Sequence, residues 1–325
     1  MAAIPVPFDP ALNAVLEGMP RADGPPPSLE TIPLMRAAGA AMPMPAVAEV
    51  IGTREIDTED RRIPGPEGAP DLEITVLRPR NATGPVPGLL NIHGGGMIVG
   101  SRHQDTARLA DLVDQLGAVA VNIDYRLAPE HPDPAPVEDC YAALVWTAEH
   151  AAELGIDPGR IVVMGGSAGG GLAAGVALLA RDRGGPYLAG QLLLCPMLDD
   201  TNTTVSSHQY DALGTWPRAM NLLGWRALLG DSAGDPDADV SIYAAPARAA
   251  DLSGLPPAFI EAGSAEMFRD EDVTYASRIW ATGGQAELHI WNGAFHGFDI
   301  FAPAHPVTAA ALTTRLSWLH RLLTP

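Results

Sequence analysis

Residues 160–182 read RIVVMGGSAGGGLAAGVALLARD, and the passage from strand to helix inside them decides the fold. Ile161 to Met164 is a short β-branched apolar run, as a fully buried strand requires, and Ala168 onward is a long helix-forming stretch uninterrupted by proline. Between them stands Gly165-Gly166-Ser167-Ala168-Gly169, a G-x-S-x-G pattern. A chain that turns so sharply needs glycine where a Cβ would clash, and the turn leaves Ser167 at its tip. The serine hydroxyl then sits at a helix N-terminus, where free N–H groups and the helix dipole favour developing negative charge. Alone, the pattern equally describes a flexible Gly/Ser turn in a chain with 34 glycines, so the surrounding sequence has to choose.

Working outward, apolar strands and helical patterns alternate. The sequence predicts strands at 88–92, 118–124, 161–164, 191–194, 258–261 and 287–291, and helices at 105–116, 137–153, 168–183, 272–282 and 307–323. Ahead of them, Val50 to Asp57 and Leu72 to Arg78 read as an antiparallel pair around a turn-rich PGPEGAP. Such alternation predicts an α/β architecture, a mostly parallel central sheet covered by helices on both faces. The first 45 residues are proline-broken, with amphipathic stretches at 11–18 and 28–40, and read as an arm outside the sheet whose removal leaves a foldable core. Residues 199–240, holding Tyr210, Trp216 and Trp225, interrupt the rhythm like an insertion between two core strands.

Composition narrows the function. The 325 residues are 47% hydrophobic and contain no apolar run of membrane-spanning length. A net charge of −19 opposes nucleic acid and anionic membrane as partners. The N-terminal MAAIPVPFDPALNAVLEGMP lacks the basic region and continuous apolar core of a signal peptide, and Cys140 and Cys195 form no disulfide or metal framework. A cytoplasmic protein is the expectation. His103 and His131 lack paired ligand spacing, so neither a metal nor an organic cofactor is expected.

In a parallel α/β sheet the active groups gather in loops past the C-terminal strand ends. Past the strand ending at Ile92 comes His93-Gly94-Gly95-Gly96-Met97, a turn whose amides can approach a ligand unobstructed, as an oxyanion hole requires. Past the strand near Glu261 comes GSAEMFRDE (263–271), crowded with carboxylates. Past the last strand comes NGAFHGF (292–298), where His296 can reach a hydroxyl presented on the same edge. A lone loop histidine is usually just exposed, but four such loops on one edge are harder to dismiss. The order serine, acid, histidine is the one acyl-transfer hydrolases of this architecture use.

These motifs, with Asp124-Tyr125-Arg126-Leu127-Ala128-Pro129-Glu130-His131-Pro132, resemble the α/β-hydrolase fold and, within it, the hormone-sensitive-lipase-like esterases. The similarity runs from about residue 50 to the C-terminus. It implies one α/β-hydrolase domain over 1–325, with a catalytic core of about 46–199 and 241–325 and a helical cap from about 1–45 and 200–240. Two departures stand out. Gly166 precedes the serine where members commonly carry Asp or Thr, and the register of Arg269-Asp270-Glu271 places Glu266 where many carry aspartate.

The resemblance implies a serine carboxylesterase acting on short-acyl esters, with Ser167 as nucleophile, His296 as proton carrier and Glu266 orienting the imidazole. The amides of Gly95, Gly96 and Ala168 would receive the oxyanion. Among the carboxylates, Glu261 ends a strand and Asp270 and Glu271 open a helix, which leaves Glu266 in the loop. Met97, Tyr210 and Trp216 are candidates for the substrate pocket, with Trp225 as a further aromatic of the cap. The expected partner is a small-molecule ester, with a homodimer left open. The rivals are an amidase or formamidase on the same fold and a small-molecule receptor on a hydrolase scaffold.

Overall fold

In the computed structural model, which describes residues 4–19, 26–42 and 44–324, eight strands form one sheet. They are β1 (Ile56–Ile63), β2 (Leu72–Pro79), β3 (Val86–Ile92), β4 (Val119–Asp124), β5 (Ile156–Gly166), β6 (Gly190–Leu194), β7 (Ala258–Gly263) and β8 (Ala286–Trp291), in the order β1-β2-β4-β3-β5-β6-β7-β8. β2 pairs antiparallel with β1 and β4, and every pair from β4 through β8 is parallel. The mostly parallel sheet is the one expected from the alternation of elements, and it fits the α/β-hydrolase fold that the resemblance implies.

Alternate strand residues feed two cores, as a period of two dictates. Leu90, Ile92, Val121, Ile123, Ile161 and Val163 face one core with Val137, Leu144 and Leu172 of the helices Ala135–Glu149 and Ala168–Arg183. Leu89, Ala120, Val162 and Met164 face the other, with Leu109 and Val113 of helix Thr106–Leu116 and Trp318 and Leu319 of helix Pro306–Leu323. Burial on both faces explains why these strands read as unbroken apolar runs.

Three expectations shift. The first strand begins at Ile56 rather than Val50, because Val47–Ile51 is a short helix closed by Gly52 at φ +60°. Its middle, DTEDRR, is exposed or half-exposed edge strand, so the apolar alternation sought there does not exist. The helix expected at 137–153 is two, Ala135–Glu149 and Ala151–Leu154, separated at His150. The N-terminal arm is not a dispensable appendage. Leu12 and Ile32 are fully buried, Leu12 beside Phe295 and Phe298, so removing the arm would strip a core surface. The parts of the arm at 1–3, 20–25 and 43 lie outside the described residues.

Leu90, fully buried at the centre of the sheet, sets a stability test. Leu90→Ala is expected to lower unfolding free energy in urea by about 2–5 kcal/mol. Thr58→Ala, at an exposed position of β1, should change it by less than about 0.5 kcal/mol.

Candidate active site

The parallel strands end on one edge, and the loops that leave them meet at Ser167. β5 continues through Gly165 and Gly166, which still pair with Leu193 and Leu194, and the chain then reverses into helix Ala168–Arg183. Ser167 takes φ +58° and ψ −125°, a conformation L-residues rarely hold unless their surroundings enforce it. Those surroundings are backbone. A Cβ on Gly165 would lie 2.3 Å from the Gly169 carbonyl oxygen, and one on Gly169 would lie 2.0 Å from that of Ile92. Both outer glycines of the motif are therefore required by close approach, and Ser167 N–H donates to Leu194 O at 2.8 Å.

His296 arrives on the loop after β8 and Glu266 on the loop after β7. His296 Nε2 lies 2.9 Å from Ser167 Oγ, and Nδ1 lies 2.6 Å from Glu266 Oε2. A carboxylate only accepts, so Nδ1–H donates to Glu266 and Nε2 is left to accept from the serine hydroxyl. Glu266 is 2% exposed, and its Oε1 accepts from Gly263 N–H at 2.5 Å. Phe268 meets the imidazole edge-on with centroids 5.0 Å apart, and Thr215 Oγ1 donates to the His296 carbonyl.

The competing carboxylates are committed elsewhere. Glu261 pairs with Arg315, Asp270 accepts from Ser206 N–H at 2.8 Å, and Glu271 accepts from the Leu198 and Asp199 amides. Burial pushes Glu271 well above the usual carboxylate range, with Asp199 adding to the effect.

The glycine turn after β3 lies beside the serine. Gly95, Gly96 and Met97 hold φ of +114°, +62° and +61°. His93 anchors the turn from below: it is stacked on Tyr125 at 4.3 Å, its Nδ1 donates to Gly94 O at 2.7 Å, and burial lowers its pKa so that it stays neutral. Among the described residues, the amides of Gly95, Gly96 and Ala168 donate to no protein acceptor.

Of the candidate pocket residues, Met97 belongs to the turn itself and Trp216 packs against it. A Cβ on Gly96 would lie 2.4 Å from its ring, and its Nε1 donates to Asn221 at 3.2 Å. Met97 is fully buried, and Tyr210 is 1% exposed with its hydroxyl bonded to Val6 O. Both belong to the packed wall behind the site, as does the fully buried Trp225.

Sequence reasoning missed Thr215 and Cys195. Cys195, at φ +41° past β6, places its sulfur with ligand atoms of Glu266 and His296 all within 4.8 Å of one another. The trio does not suit a metal. The Glu266–His296 hydrogen bond occupies the facing donor atoms, and burial, helped by the Glu266, Asp299 and Glu261 carboxylates, pushes the thiol well up. No signal in the sequence separated Cys195 from an ordinary strand cysteine.

With the geometry in place, the family model described as alpha/beta hydrolase fold matches residues 89–300. The chain belongs to the α/β-hydrolase family. It is 38% identical over 279 residues to carboxylesterase NlhH of Mycobacterium tuberculosis, covering 83% of this chain and 84% of that one. It is 39% identical over 275 residues to the carboxylic ester hydrolase LipN of the same organism, covering 81% and 68%. Among solved structures, a bacterial heroin esterase superposes with a TM-score of 0.89 at 39% identity over 98% of each chain. Esterase LipW from Mycobacterium marinum does so at 0.88 and 31%, covering 100% of both. No described helix is long and apolar enough to cross a membrane.

The raised Cys195 thiol sets a chemical test. Since the thiolate is the reactive form, alkylation of Cys195 by iodoacetamide at pH 7 should run at least about tenfold slower than that of a small free thiol. Peptide mass spectrometry against time measures it, and the rate should climb on moving to more alkaline pH.

Proposed function

We propose that this α/β-hydrolase is a serine carboxylic ester hydrolase that cleaves short-acyl esters through an acyl-enzyme. The hydrogen-bonded run from Ser167 Oγ through His296 to Glu266, at 2.9 and 2.6 Å, carries the reading, and the relatives named as carboxylesterases agree with it. Ser167 Oγ attacks the ester carbonyl as His296 Nε2 takes its proton. The tetrahedral intermediate collapses, the C–O bond to the alcohol breaks, and Nε2 returns the proton to the departing oxygen. Water, deprotonated by the same nitrogen, then releases the acid and restores Ser167. Glu266 keeps the proton on Nδ1 and stabilises the imidazolium formed in each half-reaction. The amides of Gly95, Gly96 and Ala168 receive the oxyanion, each donor worth about 3 kcal/mol in the transition state.

A cap built from the arm and the 200–240 insertion sets the acyl-length limit. Several contacts support it. Trp216 lies on Gly96, a Cβ on Gly224 would meet Gly96 O at 2.9 Å, and Thr215 holds the histidine loop. From the arm, Asp9 N–H donates to Gly293 O and Arg36 Nε to Ile98 O, beside the histidine and glycine loops. The free thiols Cys140 and Cys195 suit a reducing cytoplasm.

Ser167→Ala should fold normally and lose nearly all turnover of 4-nitrophenyl acetate. Glu266→Gln should lower kcat by about 10³ to 10⁴ through lost tautomer control and charge. Asp270→Asn, which gives up the charge and one of the two oxygens that accept from Ser206 N–H and Arg269 Nε, should instead lower thermal stability and leave kcat near wild type. A folded but inactive Asp270→Asn beside an active Glu266→Gln would reverse the assignment of the acid.

Trp216→Ala should widen the acyl side. The ratio of kcat/KM for octanoyl over acetyl esters is expected to rise about tenfold in a chain-length series. An unchanged ratio would remove Trp216 from the pocket.

A further inference from the structure

Beneath the serine turn runs a chain of buried charges that the proposed reaction does not use. Arg108, on helix Thr106–Leu116, has a side chain only 11% exposed and pairs with Asp105 at 3.0 Å and Asp299 at 3.3 Å. Asp299 lies three residues beyond His296 and also accepts from Arg315 Nη1 at 2.8 Å. Arg315, 3% exposed, pairs in turn with Glu261 of β7, five residues before Glu266. The second oxygen of Glu261 accepts from Trp291 Nε1 at 3.1 Å, at the end of β8. The run thus ties the strand before the Glu266 loop to the short helix after His296, and at Arg108 it comes up against the serine turn.

The approach to the serine loop is unusual because residue 166 has no side chain. A Cβ built on Gly166 would lie 3.5 Å from Arg108 Nη1, ordinary van der Waals contact. That nitrogen is the one paired with Asp105 Oδ1 at 3.0 Å, off the direction of a hydrogen bond, and its N–H groups make no directed hydrogen bond among the described residues, Gly166 being its neighbour in the serine turn. Burial alone would raise the Asp299 carboxyl, yet Arg315 and Arg108 hold it well below the usual carboxylate range. Asp299 therefore carries its charge at neutral pH. Shifting any one loop would separate opposite charges where water cannot compensate.

We propose that Arg108 is a positioning residue for Ser167. Its guanidinium packs under Gly166 in place of a side chain there and, through Asp299, Arg315 and Glu261, keeps the serine turn in register with the loops that carry His296 and Glu266. This rests on Ser167 being the nucleophile. A misplacement of about 1 Å in such an arrangement costs about 10²-fold in rate.

The test compares Arg108→Met and Arg108→Lys by the rate at which a fluorophosphonate modifies Ser167 in the folded fraction, alongside kcat and KM. Arg108→Met should be modified to completion but about 10- to 100-fold more slowly, with kcat falling in parallel and KM within about twofold. Arg108→Lys should recover part of the rate, and its own rate carries the comparison where Arg108→Met does not fold. Gly166→Asp should fold and react within about tenfold of wild type, because its carboxylate meets the guanidinium. The same change on Arg108→Met, or Gly166→Leu on the wild-type chain, should react far more slowly. Wild-type modification rates in Arg108→Met or Arg108→Lys would overturn the inference, as would equal sensitivity to Gly166→Asp and Gly166→Leu. Failure of the wild-type chain to be modified on Ser167 would instead overturn the nucleophile itself.

Discussion

Everything at the site depends on backbone meeting backbone where helix Ala168–Arg183 starts against the end of β3. Only a residue without Cβ fits at Gly169, whose Cβ would fall 2.0 Å from Ile92 O and 2.6 Å from His93 O. That approach brings the first free amide of the helix beside the glycine turn and holds Ser167 at positive φ on the strand edge. The strain of such a residue costs of order 1–3 kcal/mol and persists only because the packing around it leaves no alternative. The sheet supplies that packing. β5 lies between β3 and β6, both parallel to it, and both faces are buried under helices.

The parallel strands and their helices were legible in the sequence, because a strand buried on both faces has to be apolar throughout. The loops were legible for a different reason: glycine, serine, histidine and carboxylate gathered past the ends of β3, β5, β7 and β8 are not what the packing of strands and helices alone would call for. Singling out Glu266 needed both the loop position and the demands on its neighbours. The structure supplies those demands as bonds, from Arg315 to Glu261, from Ser206 to Asp270 and from Leu198 to Glu271.

What stayed hidden was set by tertiary context. β1 carries charges on an exposed edge, and its strand character comes from pairing with β2 rather than from its own side chains. The arm looked detachable because its prolines break regular structure, yet Leu12 and Ile32 complete cores built by distant segments. Arg108 and Asp299 are ordinary charged residues in one dimension. Only the fold brings them together beneath Gly166, and no spacing along the chain announces that.

The central claim is that Ser167 forms a covalent acyl intermediate. Acid-quenching the protein within the first turnovers of 4-nitrophenyl acetate, followed by peptide mass spectrometry, addresses it directly. The account predicts one acetyl group per chain, carried on the peptide that contains Ser167 and located on that serine. An acetyl group on another residue, or steady turnover with no acetylated chain at any quench time, would contradict it.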